Sequence, residues 1–305
     1  MRSGSSLLTA AVAALITSGC GGGGGDHPIG VTPTGTLSVS LTDAPVDDMA
    51  EVWVHITGMR LKPADGAPID FTFAEPKDID LLTLTASDSV PLLDGETVPA
   101  GNYEWIALDV DADFDNVFDS YVLDNTGGMI ELRVPSQQGV RLVSGFTVLA
   151  GGTTRLMLDW DLRRALTDPT GQPGYFLRPA LRITDLAEYG AIVGTVADDL
   201  LTAPTCDNDL AEDRGNVVYL YEGADVVPVD IDGGDPEPLA TGRVAQDAGA
   251  AGAYTYRIDF VPPGDYTVAF TCQGLADDPE VADTLAFIGP QTLTVVADEE
   301  AVADF

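Results

Sequence analysis

Thr36-Leu-Ser-Val-Ser-Leu41 alternates apolar and polar residues, placing Leu37, Val39 and Leu41 on one face and Thr36, Ser38 and Ser40 on the other. A period of two is the mark of a half-buried β-strand, because successive side chains leave a pleated backbone on opposite sides. Thr42-Asp-Ala-Pro45 ends the run. The pattern returns at once: Val52, Val54 and Ile56 share one face, Trp53 and His55 the other. Gly58 reads as a bulge, after which Met59 and Leu61 resume the apolar side.

The same signature recurs down the chain. Ile79-Asp-Leu-Leu-Thr-Leu84 predicts a strand. Pro99-Ala-Gly-Asn102 predicts a tight turn into a long strand with Ile106, Leu108, Val110 and Ala112 facing inward. Gly127-Gly128 predicts a hairpin turn between Tyr121-Val-Leu123 and Met129-Ile-Glu-Leu132. Further strands are expected over 145–149, 154–161 and 175–184, with one helical turn over 162–166. Trp160, in phase with Leu156 and Leu158, belongs to the core. Many short strands punctuated by Gly and Pro mean a β-sandwich or barrel. A second set begins at Ile192: Ile-Val-Gly-Thr-Val196, Val217-Val-Tyr-Leu-Tyr221, the hairpin 253–270, Leu293-Thr-Val-Val296 and Val302-Ala-Asp-Phe305.

The N-terminus gives an address. Arg2 is followed by an apolar run over 7–16 and by the small residues Thr17, Ser18 and Gly19 before Cys20. That is the order of a secretory signal, and the run is shorter than the roughly 20 residues a membrane span needs. Cys20 in this setting resembles the lipidation site of a bacterial lipoprotein. Gly21 to Gly25 then gives reach without structure, as a tether would. The residue after Cys20 is Gly rather than Asp, which by the usual sorting rule favours the outer membrane.

The chain has 14 basic and 49 acidic residues in 305, a net charge of −35. Such a charge repels nucleic acid and anionic lipid. The acids are interleaved with Val, Leu, Ile and Phe at strand spacing, so the reading is of folded domains with acidic faces. With Cys20 taken by lipid, Cys206 and Cys272 remain, an even pair in an oxidising compartment, expected to form a disulfide.

The segment Gly35-Thr-Leu-Ser-Val-Ser-Leu-Thr-Asp-Ala-Pro45 with Val52-Trp-Val-His-Ile56 resembles the opening of a family of bacterial lipoprotein domains of unknown function. The blocks Pro99-Ala-Gly-Asn-Tyr103, Leu156-Met-Leu-Asp-Trp-Asp-Leu162 and Phe176-Leu-Arg-Pro-Ala-Leu-Arg-Ile183 extend the likeness over roughly 35–185. The resemblance implies an extracytoplasmic β-sandwich with no assigned activity. The later stretch, above all Val261-Pro-Pro-Gly-Asp-Tyr266, resembles the transthyretin-like sandwich of carboxypeptidase-regulatory domains. That likeness implies a structural or binding module, with Tyr266 packed back on the sheet.

The expected architecture is therefore all-β: two antiparallel β-sandwich domains in tandem. Residues 1–19 would be the lipoprotein signal peptide, 20–34 the lipidated cysteine and tether, 35–188 the first sandwich and 189–305 the second.

Chemistry-bearing motifs are sparse. The sequence has two histidines, His27 and His55, and neither lies in a metalloprotease, nucleophile-elbow or nucleotide-binding pattern. The expectation is a non-catalytic cell-envelope lipoprotein that binds or assembles at the outer membrane, its partners an envelope protein or polysaccharide. The rival is a carbohydrate-binding protein stacking sugars on Trp53 and Trp105, both on outward faces; a third reading is an enzyme whose site has no recognisable motif.

Asp109, Asp111, Asp113 and Asp115 form the candidate metal site. Alternate residues of a strand share a face at about 6.6 Å spacing, and hard carboxylate oxygens suit Ca²⁺. Against this, the EF-hand spacing fails, with Phe114 at the Gly position and Ser120 at the bidentate Glu position. Asp230, Asp232 and Asp235 around Gly233-Gly234 make a second acidic loop, again without a closing Glu. A solvated acidic edge that deters sheet-to-sheet pairing is the preferred reading of these carboxylates, with Ca²⁺ binding the alternative.

Overall fold

The computed structural model describes residues 32–44, 49–84, 88–136, 139–247, 249 and 252–305. The expected signal peptide, Cys20 and residues 21–31 of the expected tether lie outside the described residues, while Thr34, expected in the tether, begins the first strand. The chain from Pro33 to Phe305 forms one compact unit. It is almost wholly β, and among the described residues no helix is long and apolar enough to cross a membrane.

Two sandwiches follow one another. In the first, a four-stranded sheet runs in the order Leu181–Asp185, Thr153–Asp161, Thr34–Ala44, Val90–Pro99. It faces a nine-stranded sheet centred on Met49–Pro63 and Gly101–Asp111. Leu37, Val39 and Leu41 meet Val52, Val54, Ile56, Ile106 and Leu108 between the sheets, all nearly inaccessible. The alternation seen in the sequence is thus the inner face of each sheet. The second sandwich pairs a sheet around Gly190–Val196 and Tyr254–Val261 with one around Val217–Glu222 and Gly264–Thr271. Its core, Ile192 through Ala303, shares no residue with the first. Val217–Glu222 is buried on both faces: Val218 and Leu220 enter the main core, while Val217, Tyr219 and Tyr221 form a small cluster with Ile231.

Pairing is mostly antiparallel, with a departure that closes each sandwich. Thr34–Ala44 lies parallel to Thr153–Asp161, and Gly190–Val196 parallel to Glu300–Val302. Each early strand thereby pairs with a late one.

Several local expectations are met. The register slips beside Gly58 in both ladders of its strand, and a Cβ there would lie 2.6 Å from the Phe71 carbonyl oxygen, so only Gly fits. The hairpin Tyr121–Asp124 to Met129–Arg133 forms across Gly127-Gly128, and Leu162–Ala165 is the short helix. Trp160 is fully buried, its Nε1 donating to the Arg178 carbonyl at 3.3 Å.

Others are corrected. The strand expected over 79–84 stops at Asp80, whose carboxylate accepts from the backbone N–H of Val52 (3.0 Å) and Leu82 (3.2 Å) and so caps a 3₁₀ turn over Leu81–Thr83. The strand expected over 175–184 is two, Tyr175–Leu177 and Leu181–Asp185, in different sheets. Pro179, without an N–H, interrupts the ladder between them.

Candidate functional site

The outer face of the four-stranded sheet is not solvated. Thr42, Asp159 and Arg182 are cross-strand neighbours in one row, and Met157 faces Thr184 in the next. Met157, Asp159 and Thr184 are buried. The second sandwich covers them. Arg182 Nη2 donates to the Asp259 carbonyl at 3.1 Å, and Thr184 Oγ1 to the Phe260 carbonyl at 2.7 Å. Phe260 takes a left-handed φ of 54°, at a bulge where the register slips opposite Gly190 and Ile192. For a bulky residue that conformation is strained. Here it turns two successive carbonyls onto the first sandwich.

Three further arginines of the first sandwich reach the second. Arg163 Nη1 donates to the Gly274 carbonyl at 2.7 Å, Arg164 Nε to Glu237 Oε1 at 3.1 Å, and Arg178 Nη2 to Glu280 Oε1 at 2.7 Å. Residues 190–305 carry three basic and 23 acidic side chains, and at these contacts the cation comes from the other sandwich.

Beside this seam lies a cleft of about 750 Å³. One wall is the row Thr42, Asp159, Arg182. The opposite wall is the outer face of the sheet that carries Val193, Thr195, Thr255, Arg257 and Asp259. Five carboxylates, Asp43, Asp159, Asp213, Asp259 and Asp304, and three guanidiniums, Arg182, Arg243 and Arg257, line the cleft. Arg182 pairs with Asp159, the two side chains 10% and 9% exposed. Arg257 Nε bridges both oxygens of Asp259 at 2.8 and 2.9 Å, and its Nη1 meets Glu300 at 2.6 Å. Burial pushes the Asp259 carboxyl up against the pull of Arg257. Asp304 accepts from the N–H and hydroxyl of Thr195 at 2.8 and 2.9 Å. Arg182 Nη1 alone among these guanidinium nitrogens is buried with no acceptor.

The residues singled out from sequence lie elsewhere. Asp109 is held by Arg60, Nη2 to Oδ1 at 2.7 Å. The strand ends at Asp111, so Asp113 and Asp115 leave its alternation, and Asp115 caps the backbone of Val117 at 2.9 Å. The four carboxylates do not converge. Among the described residues one trio of acidic side chains brings ligand atoms within 4.8 Å of each other: Asp230, Asp277 and Asp283. Sequence reading had found Asp230 but joined it to Asp232 and Asp235; Asp277 and Asp283 arrive from a distant loop. All three are already engaged, Asp283 by the Asp278 N–H at 2.8 Å. Tyr219 Oη and the Ile231 N–H donate to Asp277, and the Asp283 N–H donates to Asp230.

Trp53 and Trp105 do not make one platform. Trp105 pairs with Lys62, nine residues along the strand that carries Trp53, or about 30 Å away. Both are half-buried. Trp53 stacks on Tyr121 at 6.4 Å and donates to Glu51 at 2.6 Å; the Arg141 guanidinium lies 4.8 Å over the ring of Trp105. His55 Nδ1 is 2.6 Å from Asp78 Oδ1, and the nearby Ser120 hydroxyl is committed to the Asp111 carbonyl and the His55 N–H. Cys206 and Cys272 form the expected disulfide, their Cα atoms 5.0 Å apart.

No curated protein matches the chain. Solved structures similar to it are distant and carry no argument about function. The chain spans 26% of a leucine-rich repeat protein from Bacteroides thetaiotaomicron (11% identity, 90% of this chain, TM-score 0.22). It spans 94% of GBS52, the minor pilin of Streptococcus agalactiae (9% identity, 88% of this chain, TM-score 0.20). It spans 99% of the major pilin subunit of Bacillus cereus (9% identity, 89% of this chain, TM-score 0.18). Residues 34–179, most of the first sandwich, match the family model described as a domain of unknown function, DUF4382.

Proposed function

We propose that this chain is a non-catalytic cell-envelope module, anchored through a lipid on Cys20 and displaying two docked sandwiches as a binding or assembly unit at the outer membrane. The observation that carries the reading is the seam. Four arginines and a strained bulge hold two sheet faces in fixed register around a polar cleft, which is how a recognition surface is kept in shape. The Cys206–Cys272 disulfide supports an oxidising compartment. The order Arg2, apolar run, small residues, Cys20 and pentaglycine supports export, lipidation and a tether. The hairpin around Val261-Pro-Pro-Gly-Asp-Tyr266, with Tyr266 buried against its own sheet, supports a carboxypeptidase-regulatory-like second domain.

The test is the anchor. Wild type should incorporate labelled fatty acid and partition into detergent, and Cys20→Ala should not. Recovery of wild type as a soluble periplasmic protein with an unmodified N-terminus would overturn the reading.

A further inference from the structure

We infer that the cleft between the sandwiches binds a neutral, hydroxyl-rich ligand, that is, a saccharide; this rests on the reading of the chain as a binding module and specifies what it binds. The cleft has the size of small-ligand sites, which run roughly 300–1,000 Å³. Its lining decides the chemistry. Arg182 and Arg257 already hold carboxylates, and Arg243 donates to the carbonyls of Asp213 (2.8 Å) and Glu212 (3.0 Å). An anionic ligand would have to take Arg182 or Arg257 from its carboxylate, leaving that carboxylate without its cation, or take Arg243 from two backbone carbonyls. A cationic ligand would meet three guanidiniums among five carboxylates, and the spermidine arm of the test decides against or for it.

What the pairing leaves over is hydrogen-bonding capacity. A carboxylate accepts at about four lone-pair positions. Asp259 and Asp304 use only some of theirs, on Arg257 and Thr195 respectively. They can accept from further O–H groups. Arg182 Nη1 has the opposite need, a donor without an acceptor. A group that both donates and accepts at short spacing, without net charge, is a pair of vicinal hydroxyls. Val193 and Val302, on adjacent strands of the same wall, give an apolar strip against which the C–H face of a sugar ring can lie.

The mature protein is titrated calorimetrically with cellotriose, maltotriose, mannotriose, chitotriose and xylotriose, and with trigalacturonate and spermidine as charged probes. At least one neutral trisaccharide should bind, and the charged probes should not. Asp304→Ala, on the exposed rim, and Arg182→Met should each weaken binding about tenfold or more, the loss expected for a hydrogen bond to a charged group. If Arg182→Met fails to fold, Asp304→Ala carries the comparison. The inference is overturned if no neutral trisaccharide binds, if a charged probe binds as well as the best neutral one, or if folded Asp304→Ala binds like wild type. An acylated, detergent-partitioning protein that ignores every trisaccharide would sink the saccharide and leave the envelope-module reading standing.

Discussion

The hydroxyl of Tyr266 donates to the carbonyl of Pro262, four residues back, at 2.9 Å. The first sandwich repeats the device: Tyr103 donates to Pro99 at 2.8 Å. Both lie in a Pro-x-Gly-Asn/Asp-Tyr sequence, 99–103 and 262–266, and both tyrosines are buried. The geometry resembles the tyrosine corner of immunoglobulin sandwiches. It pins the turn to the strand that follows. Tyr266→Phe keeps the ring and removes the bond, so it should cost about 1–2 kcal/mol. Tyr103→Phe should cost a similar amount in the other sandwich. The urea midpoint measures both; an unchanged midpoint in either variant would remove the pin from the account of that sandwich.

Arg163 is buried, and its bond to the Gly274 carbonyl crosses the seam. Truncation leaves that carbonyl without this charged donor and opens a gap. Arg163→Ala should destabilise by about 3 kcal/mol and should loosen the two sandwiches before either unfolds. Limited proteolysis over 185–190, already a largely exposed turn, should accelerate further once the strands on either side of it are no longer docked. Unaltered cleavage with an unaltered melting curve would show that Arg163 does not fasten the seam.

Cys206 and Cys272 close a loop across 66 positions. On the chain-entropy model that closure stabilises by about 4 kcal/mol. Both cysteines lie in or against the second core, so reduction should lower the unfolding transition of that sandwich and spare the first. Two titratable thiols in the native, unreduced protein would dispose of this.

The fold was legible because inner faces announce themselves locally. Leu37, Val39 and Leu41 alternate, and so do Val52, Val54 and Ile56; a period of two needs no knowledge of the partner strand. Gly58 and Pro179 marked their irregularities for equally local reasons, although Pro179 was read as lying within one strand. The seam was not legible. Met157, Asp159 and Asp161 sit on what the alternation called the outward face, yet all are buried under a second sandwich whose strands begin about 30 residues later. No local pattern predicts a buried aspartate. The nearest signal was compositional: four of the chain's few arginines, Arg163, Arg164, Arg178 and Arg182, fall within 20 residues just before a segment with a large acidic excess. The acidic trio failed for the same reason, since Asp230 meets Asp277 and Asp283 only through long-range folding.

Asp161 ties this seam to pH. Burial lifts its carboxyl from 3.8 to about 6, with Asp159 adding to the rise and Arg164 and Arg163 opposing it. The sign follows from proton binding. Below about pH 4 the group is protonated in both folded and unfolded chains. Between about pH 4 and 6 the folded chain holds a proton that the unfolded chain releases, so this group's contribution to stability is lost as pH rises through about 6. The span corresponds to about 3 kcal/mol at most. Asp161→Asn removes the titration. The gain in urea midpoint on going from pH 7 to pH 5 should therefore be smaller in Asp161→Asn than in wild type. Identical pH dependence in the two proteins would mean that Asp161 ionises normally inside the fold.

Net charge sets the last expectation. Residues 34–188 carry ten basic and 25 acidic side chains, a net −15; residues 190–305 carry three and 23, a net −20. Two bodies of like charge are held together by short arginine bonds, of which that of Arg163 is buried, those of Arg164 and Arg182 part-buried and that of Arg178 exposed. Salt screens distant exposed charges far more than buried contacts. Raising sodium chloride should therefore relieve the repulsion more than it weakens the arginines, and the melting temperature should rise. Calcium separates this from site binding. Asp109 is already paired with Arg60, and Asp111, Asp113 and Asp115 do not converge on a common point. Calcium at matched ionic strength should stabilise no more than sodium does, and Asp111→Asn should behave like wild type in both salts. An excess shift with calcium that vanishes in Asp111→Asn would turn the strand end into a cation site by the mass-action term for a ligand of the folded state. An excess that persists in Asp111→Asn but disappears in Asp283→Asn would assign it to the trio around Asp230 instead.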